Sequence, residues 1–483
     1  MTGEPTASRT PTLPPRRLHG ASPFIGLVVQ LRQLLVPLAL SLFIGREDGF
    51  SRFQFAFFFG IPLVVALLQF LAWLRFSYRI ADGALVLDSG VIQRRHREIP
   101  IDRIHHVEET AKLQHRLFGV VKLQIDSGGG ESGAEVALDA LRRSEAARLR
   151  AFLEGRPDSP RPIIDAAADA EPIASAGLGR LVLAGITNVP FAATVGVIGT
   201  IVQFADEISD DLFYETVRRV PPTASGFAAV AAAFGLLYVM TAGGASVLTN
   251  YGFTLQRDGK ELRTQRGLLD RRRAVLDLDK LAVIRLDETI MRRALGVCSL
   301  RLQTISGSGG RGVSSLSVPI LERDDVDRVV AELMPIASPL PELIGHPSAA
   351  RRRLYFRRVG ISLAIAAPLA WFWRPTGPVV ASLLIALALC RAEVAYRALG
   401  HATRQSVLVS REGGLRRETA IAAWARAEST RLRSSPLQRW AGLASLYVDV
   451  PQGKSVVVAD ADPKELARLR KLAARANPTL PTA

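Results

Sequence analysis

Long apolar runs alternate with polar segments along the chain. Most of the six runs are on the order of 15–24 residues long and nearly free of charge, the length needed to cross about 30 Å of hydrocarbon. The runs cover residues 27–44, 53–74, 181–204, 227–248, 359–372 and 379–389. Because they come in pairs, they predict three helical membrane hairpins, at residues 24–74, 178–248 and 351–396.

Each hairpin is followed by a polar segment with a different pattern. These segments span residues 75–156, 249–338 and 397–476. Short alternating runs, broken by Gly, Asp and Ser, predict antiparallel β-strands, and each segment ends in a pattern typical of an amphipathic helix. In the last helix Asp462 is a suitable N-cap, and Leu466, Leu469 and Leu472 form the apolar face. Residues 1–18, rich in Pro, Thr and Arg, are predicted to be a disordered tail.

The polar segments are copies of one another. Residues 90–119 align with residues 267–296 without a gap, and in both a turn glycine is followed by an arginine pair. The third copy keeps the same order with small shifts, from Gly414 through residues 436–443. The chain therefore reads as three copies of one unit. The predicted fold class is six transmembrane helices in hairpins, alternating with three small β-barrel domains that each end in a capping helix. Closure of each barrel would remove its sheet edges.

The repeated block has a recognisable form. It reads Gly-x-x-x-Arg-Arg, then a hydrophobic-Asp-basic-hydrophobic step, then Arg-x-x-Gly-Val/Leu, and residues 435–444 read SPLQRWAGLA. It resembles the type 2 bacterial pleckstrin-homology-like (PH-like) domain of the YdbS/YdbT-type membrane proteins, and the three copies match the larger, YdbT-like form. The resemblance implies a split barrel capped by a helix, and it does not imply an enzyme. It also suggests another membrane protein as a partner, such as a smaller homologue with a single PH-like domain.

The charge balance is strongly basic, with 61 Lys and Arg against 45 Asp and Glu. Together with the apolar runs, this composition excludes a soluble globular enzyme, a disordered scaffold and a fibrous protein. In a membrane protein, an excess of arginine is expected on the cytoplasmic side. The positive charge therefore needs no nucleic-acid partner to explain it, and none is predicted. The linkers inside the first two hairpins are neutral and acidic, and the linker inside the third is a short Pro/Gly turn with Arg374. A multi-pass protein of the cell membrane, with both termini and all three domains cytoplasmic, is therefore predicted.

Eight arginines in corresponding positions of the repeats are candidate contacts to anionic lipid or to a partner. They are Arg94, Arg95, Arg97, Arg271, Arg272, Arg273, Arg416 and Arg417. Guanidinium groups bind phosphate by fork-like contacts, which favours membrane lipid head groups as ligands. The same residues would also satisfy the positive-inside rule as solvated strand residues, and the sequence leaves both interpretations open. A second set is predicted to brace a turn: Arg116, Gly119, Arg293, Gly296, Arg439 and Gly442.

No pattern in the sequence points to catalysis, to a metal or to a cofactor. Nucleophile-elbow, zinc-protease and phosphate-loop motifs do not occur, and Cys298 and Cys390 are far apart. The centres of the spans also lack Asp, Glu and Lys, which disfavours ion-coupled transport. We therefore expect a non-enzymatic scaffold or partner-binding protein, acting in envelope maintenance or export. The alternatives are a transporter or channel component regulated by its PH-like domains, and a module that senses anionic lipid.

Overall fold

The computed structural model describes eleven stretches of the chain. They are residues 13–28, 60–90, 93–101, 106–126, 136–153, 172–188, 223–304, 315–372, 376–404, 406–450 and 454–478. The chain divides into two compact units. The first contains Met1–Ala170, Gly177–Phe253 and Arg263–Val275, and the second contains Glu171–Ala176, Thr254–Leu262 and Leu276–Ala483.

The strands of the first repeat form two antiparallel sheets in the first unit. They are β1 (Leu13–Arg16), β2 (Ser77–Ala81), β3 (Ala84–Ser89), β4 (Arg95–Pro100), β5 (His106–Ala111), β6 (Val120–Asp126) and β7 (Val136–Arg142). One sheet has the order β1-β2-β3-β4, and the other contains β7-β6-β5. Leu85 and Ile99 of the first sheet share a core with Leu123 and Leu138 of the second. Burial of these apolar side chains holds the two sheets together.

The predicted tail is ordered in part, because residues 13–18 pack against the first repeat. Strand β1 pairs with β2, and the indole nitrogen of Trp73 donates a hydrogen bond to the Leu18 carbonyl at 3.1 Å. Arg16 contacts the Glu145 carboxylate at 3.1 Å. These backbone and side-chain partners fix the segment although it shows no periodicity. Residues 1–12 lie outside the described part of the chain.

The remaining strands complete the second and third repeats. They are β8 (Pro172–Ser175), β9 (Thr254–Asp258), β10 (Glu261–Arg266), β11 (Arg271–Asp277), β12 (Leu281–Thr289), β13 (Val297–Thr304), β14 (Ser315–Glu322), β15 (Gly400–Arg404), β16 (Val407–Gly413), β17 (Arg416–Ala423), β18 (Ser429–Arg433), β19 (Ala444–Asp449) and β20 (Val456–Ala461). In the second unit, six strands form a sheet in the order β14-β13-β12-β17-β16-β15. A separate sheet has the order β18-β19-β20.

The expectation of closed barrels is wrong for the strands that the structure describes. The sheets are open, and a strand of the next repeat covers the edge that closure would have removed. In the first unit β11 pairs antiparallel with β5, and in the second unit β17 pairs antiparallel with β12. Pairing between repeats satisfies the same backbone N–H and C=O groups as barrel closure would.

The helices connect the sheets or follow them. They are α1 (Ile61–Arg75), α2 (Leu113–Leu117), α3 (Arg143–Leu153), α4 (Leu178–Asn188), α5 (Ala224–Tyr238), α6 (Gly244–Asn250), α7 (Ile290–Ala294), α8 (Val326–Leu333), α9 (Ser348–Phe372), α10 (Gly377–Ala398), α11 (Pro436–Trp440) and α12 (Pro463–Ala476). A π-helical turn, Val239–Gly243, joins α5 to α6. The Asp462 side chain accepts a hydrogen bond from the Lys464 amide at 2.8 Å, as its predicted capping role requires. Leu466, Leu469 and Ala473 are the buried residues of α12, so Ala473 takes the inward place expected for Leu472.

Six membrane-spanning helices are not supported by the described residues. Two segments are long and apolar enough to cross a membrane, Ala232–Asn250 and Gly377–Ala398. Helix α1 is apolar but shorter. Helix α9 contains the fifth predicted run, but its first half carries five arginines between positions 351 and 358. The first predicted run lies almost entirely outside the described residues, and only residues 181–188 of the third fall inside them.

Candidate functional site

A glycine turn places the arginine strand of each repeat. Gly90, Gly267 and Gly413 have φ values of 108°, 104° and 105°, a region that side chains with a Cβ rarely adopt. A Cβ at these positions would lie 1.8–2.1 Å from the carbonyl oxygen three residues later. The structural counterpart in the third repeat is therefore Gly413, and the expected correspondence to Gly414 is off by one. With this correction, Arg417 occupies the position of Arg271.

The two contacts between repeats use the same register. Arg271 of β11 lies opposite Ala111 of β5, and Arg417 of β17 lies opposite Glu288 of β12. Ala111 and Glu288 correspond, because each stands eight residues before the later turn glycine of its own repeat. We call the β5–β11 contact the first junction and the β12–β17 contact the second junction. The backbone arrangement is thus repeated, whatever side chains it carries.

The second junction is a network of charges built around buried carboxylates. The Arg416 Nε donates to an Oδ of Asp287 at 3.1 Å, and the Arg301 Nε donates to the other at 2.7 Å. Asp287 is 3% exposed. Burial by itself would raise the pKa of this carboxyl, but the hydrogen bonds from Arg416 and Arg301 outweigh it, so the pKa lies below its ordinary value.

A second part of this network surrounds Glu418 of β17. The buried Arg285 donates to one Glu418 oxygen at 2.5 Å, and Lys454 donates to the other at 3.0 Å. Burial acts to raise the pKa of the Glu418 carboxyl, and the bonds from Lys454 and Arg285 lower it further than burial raises it. Glu288 is buried too, with Arg323 bonded to it and Arg417 at 3.9 Å. Each buried carboxylate in this junction therefore has a cation in contact.

The first junction lacks a counterpart of the buried acidic pair. The position of Asp287 is taken by Thr110, and the opposing Arg271 and Arg272 are exposed. Arg273 is buried and donates to the Gln265 side-chain oxygen at 3.1 Å. It lies opposite Glu109, whose pKa is raised by burial, with nearby Arg273 opposing that shift in part.

An arginine from each earlier repeat contacts the turn of the next one. Arg116 donates to the Leu268 carbonyl at 3.0 Å, and Arg293 donates to the Gly414 carbonyl at 3.0 Å. Both acceptors are the residue directly after a turn glycine. We call Arg116 and Arg293 the clamp arginines. They were expected to brace the turn of their own repeat, but the bonds seen here reach across the junction.

The structure separates the predicted arginines into two groups. Those of the second and third repeats, Arg271–Arg273, Arg416 and Arg417, lie on the strands that form the junctions. Those of the first repeat, Arg94, Arg95 and Arg97, are exposed at β4. Their role as lipid or partner contacts stays a prediction for both groups. Arg439 of the third repeat is exposed on α11.

The acidic residues of the second junction were missed by sequence reasoning. Asp287 and Glu288 lie on β12, eight of whose nine residues are buried. The signal available in the sequence was charge complementarity between consecutive repeats. The second repeat carries an acidic pair before its later turn glycine, and the third carries an arginine pair after its first turn glycine. Among the described residues, no group of three or more His, Cys, Asp or Glu side chains is placed to hold a metal ion. The prediction of no metal and no cofactor is not tested by that observation.

An open cleft of about 930 Å³ lies within the second unit, where helices α9 and α10 meet the third repeat. Its lining is rich in arginine: Arg353, Arg357, Arg358, Arg391, Arg416 and Arg433. Asp460 and Glu412 are its acidic residues, and Arg353 is paired with Asp460. The Nε of Arg358 is buried without a hydrogen-bond partner in the described part of the chain. The cleft therefore has a surplus of positive charge.

Comparison with known proteins agrees with the repeat. The family model described as "Bacterial PH domain" matches residues 27–156, 193–335 and 359–477. The chain is also 23% identical over 461 residues to the UPF0699 transmembrane protein YdbT of Bacillus subtilis (strain 168), which covers 90% of this chain and 92% of the relative. No solved structure matches the chain significantly. The chain belongs to the bacterial PH domain family, and it is a membrane protein that carries this domain three times.

Proposed function

We propose that the chain is a non-enzymatic scaffold of the cell membrane whose PH-like domains bind a partner membrane protein. The proposal includes a multi-pass topology with both termini and all three domains in the cytoplasm. The observation that carries it is the pair of junctions, in which consecutive domains share one sheet in the same register. Within each unit, main-chain pairing fixes the strands of consecutive domains against each other, which suits a scaffold better than independently moving modules.

The absence of a catalytic constellation is part of the proposal. The buried Asp287 and Arg285 each bond to a charged partner on β17 across the second junction, Asp287 to Arg416 and Arg285 to Glu418. Perturbed pKa values in such a place have a structural explanation. A smaller homologue with a single PH-like domain is the partner that the family resemblance favours, and a role in envelope maintenance or export is the process we favour.

The test is crosslinking of the full-length protein in its native membrane, followed by affinity capture and mapping of the crosslinked peptides. We expect a reproducible membrane protein partner whose crosslinks fall in residues 75–156, 249–338 or 397–476. Crosslinks confined to the apolar hairpins would favour a transporter or channel component. Capture of anionic lipid alone would contradict the scaffold proposal.

A second candidate function is recognition of anionic lipid, and the arginine-lined cleft supports it. The cleft adjoins helix α10, one of the two segments able to cross a membrane, so a phosphate at the membrane surface would be within its reach. Several guanidinium groups around one cavity favour a phosphate-bearing head group. Binding of the full-length protein to a phosphatidylglycerol-containing vesicle, compared with inorganic phosphate as a competitor, separates a lipid from a free anion. Loss of vesicle binding in Arg358→Gln, but not in Arg97→Gln, would favour this cleft over β4.

A further inference from the structure

Each junction pairs a strand that follows a turn glycine with a strand of the preceding repeat. Among the described strands, one of each kind has no partner from another repeat. The arginine strands that follow the turn glycines are β4, β11 and β17. Strands β11 and β17 pair with the preceding repeat, whereas the described residues place only β3 beside β4. The strands of the other kind are β5, β12 and β18, and within the described chain β18 pairs only with β19.

The edge of β4 carries positive charge that the described structure does not use. Arg94, Arg95 and Arg97 are exposed, and no described residue forms a hydrogen bond or an ion pair with their side chains. Their neighbour His96 differs, since its ring nitrogens lie 2.6 Å from Asp88 and 3.0 Å from Glu98. At the second junction the corresponding strand meets two buried carboxylates.

The register shared by the two junctions predicts which positions of a docked strand would lie opposite these arginines. Arg94 corresponds to Arg417, which lies opposite Glu288, and Arg95 corresponds to Glu418, which lies opposite Asp287. A strand docked on β4 in the same register would therefore present its own counterparts of Glu288 and Asp287 to Arg94 and Arg95. Acidic residues at these two positions would make opposite-charge cross-strand pairs, which stabilise an antiparallel ladder.

A second copy of this chain does not provide that strand. The counterparts of Asp287 and Glu288 in β18 and just after it are Arg433 and Ser434. Docking β18 on β4 would place Arg433 directly opposite Arg95, and like charges at such positions destabilise the pair. The charge pattern thus selects against head-to-tail assembly of identical chains.

We propose that the edge of β4 is a docking site for an acidic edge strand of a PH-like domain in a different protein. The docked strand adds to the four-stranded sheet, with carboxylates against Arg94 and Arg95. This inference rests on the proposed function, because it names the surface through which the scaffold binds its partner.

The test supplies the missing acids on the chain itself. R433D with S434E gives β18 the acidic pair of the second junction, and this full-length variant is the probe. We expect it to associate with wild-type protein in detergent at least about tenfold more tightly than wild type associates with itself, the effect of roughly 1.4 kcal/mol of pairing. R95E in the wild-type copy should abolish the association. The matched control is R79E, an equal charge change on β2, which is already paired on both sides.

Two results would overturn the proposal. One is that the acidic variant associates no better than wild type while both keep the same thermal unfolding midpoint. The other is that association survives R95E. Register is checked with His96→Cys in one copy and Leu432→Cys in the other, in a Cys390→Ser background, where a disulfide between the two positions is expected.

Crosslinking of the variants in the native membrane distinguishes failure of this inference from failure of the scaffold proposal. If the crosslinked partner of the wild-type protein is lost in R95E and kept in R79E, the β4 edge is its docking site. If a partner is captured equally by both variants, the scaffold proposal stands and the β4 assignment is overturned.

Discussion

The two junctions share a backbone register and differ in chemistry. In the second junction Asp287 and Glu288 are buried, Glu418 is half-buried, and each has a cation in contact, whereas the first junction has Thr110 and Ala111 in the places of the acidic pair. The difference teaches that the turn glycine and the strand pairing set the geometry, while the residues of the facing strand decide whether the arginines find buried carboxylates to pair with. The exposed arginines at β4 hold the corresponding positions, and no described strand of another repeat faces them.

The largest expected effect comes from removing a buried carboxylate from the second junction. Asp287→Ala leaves Arg416 and Arg301 without their acceptor and should lower the free energy of unfolding by about 3–5 kcal/mol, since a broken buried ion pair leaves an uncompensated charge. Thr110→Ala at the corresponding position of the first junction should cost about 1 kcal/mol. Chemical denaturation of the full-length protein measures both. Equal losses of unfolding free energy in the two variants would contradict the proposed difference between the junctions.

The turn glycines should matter equally in both junctions. Gly267→Ala and Gly413→Ala each force a Cβ to within about 2 Å of a carbonyl oxygen at a φ near 105°, so each should destabilise by more than about 2 kcal/mol. Gly259→Ala is the control, because a Cβ there meets open space, although its φ of 60° still strains the backbone. Thermal unfolding should rank the control well below the other two. A large difference between Gly267→Ala and Gly413→Ala would contradict the shared geometry.

Lowering the pH should destabilise the second junction and stabilise the first. The pKa values of Asp287 and Glu418 are lowered in the folded protein, so their contribution is complete above the ordinary values of 3.8 and 4.5 and is lost as the pH falls below them. The pKa of Glu109 is raised, so its cost is full above that raised value and disappears as the pH falls below 4.5. Amide hydrogen exchange, corrected for intrinsic rates, should show β17 losing protection below about pH 4 before β11 does. Glu109→Gln should remove the acid response of the first junction only, and unchanged behaviour of that variant would exclude Glu109 as its source.

The clamp arginines should give the smallest effect, similar in both junctions. Arg116→Ala and Arg293→Ala each remove one hydrogen bond to a backbone carbonyl, worth about 0.5–1.5 kcal/mol. Arg439→Ala should leave stability unchanged, because this side chain is exposed on α11 and bonds to no other repeat in the described part of the chain. Denaturation midpoints of the three variants suffice. A loss at Arg439 as large as at the other two would mean that this arginine acts within its own repeat.

Much of the architecture could be predicted from periodicity and internal alignment. The alternating runs predicted strands, the capped apolar face predicted α12, and the aligned glycines predicted a repeated turn. The membrane spans were predicted less well, because the apolar run 359–372 is preceded in the same helix by the arginine-rich residues 351–358. Barrel closure was expected because a single domain must cover its own edges, and that expectation ignored the neighbouring repeat as a source of strands.

The candidate site could be predicted only in part. The arginine pairs stand out in the sequence because they recur, but their partners do not, since Asp287 and Glu288 are replaced by Thr110 and Ala111 in the first repeat. Arg116 and Arg293 were also identified as turn residues, but the turn they contact belongs to the next repeat. An alignment of repeats against one another detects similar positions, and it does not detect which different positions lie opposite each other.

By itself, the sequence determined the threefold repeat, the family and the positive charge that follows each turn glycine. Local patterning suffices for these, because turn chemistry and hydrophobic period act over a few residues. The tertiary structure alone decided that β11 and β17 join consecutive repeats, that the second junction buries its acidic pair and that, among the described strands, only β3 pairs with β4. Strand pairing joins residues more than a hundred positions apart, as Arg417 and Glu288 show, and register is set by the packing of whole sheets.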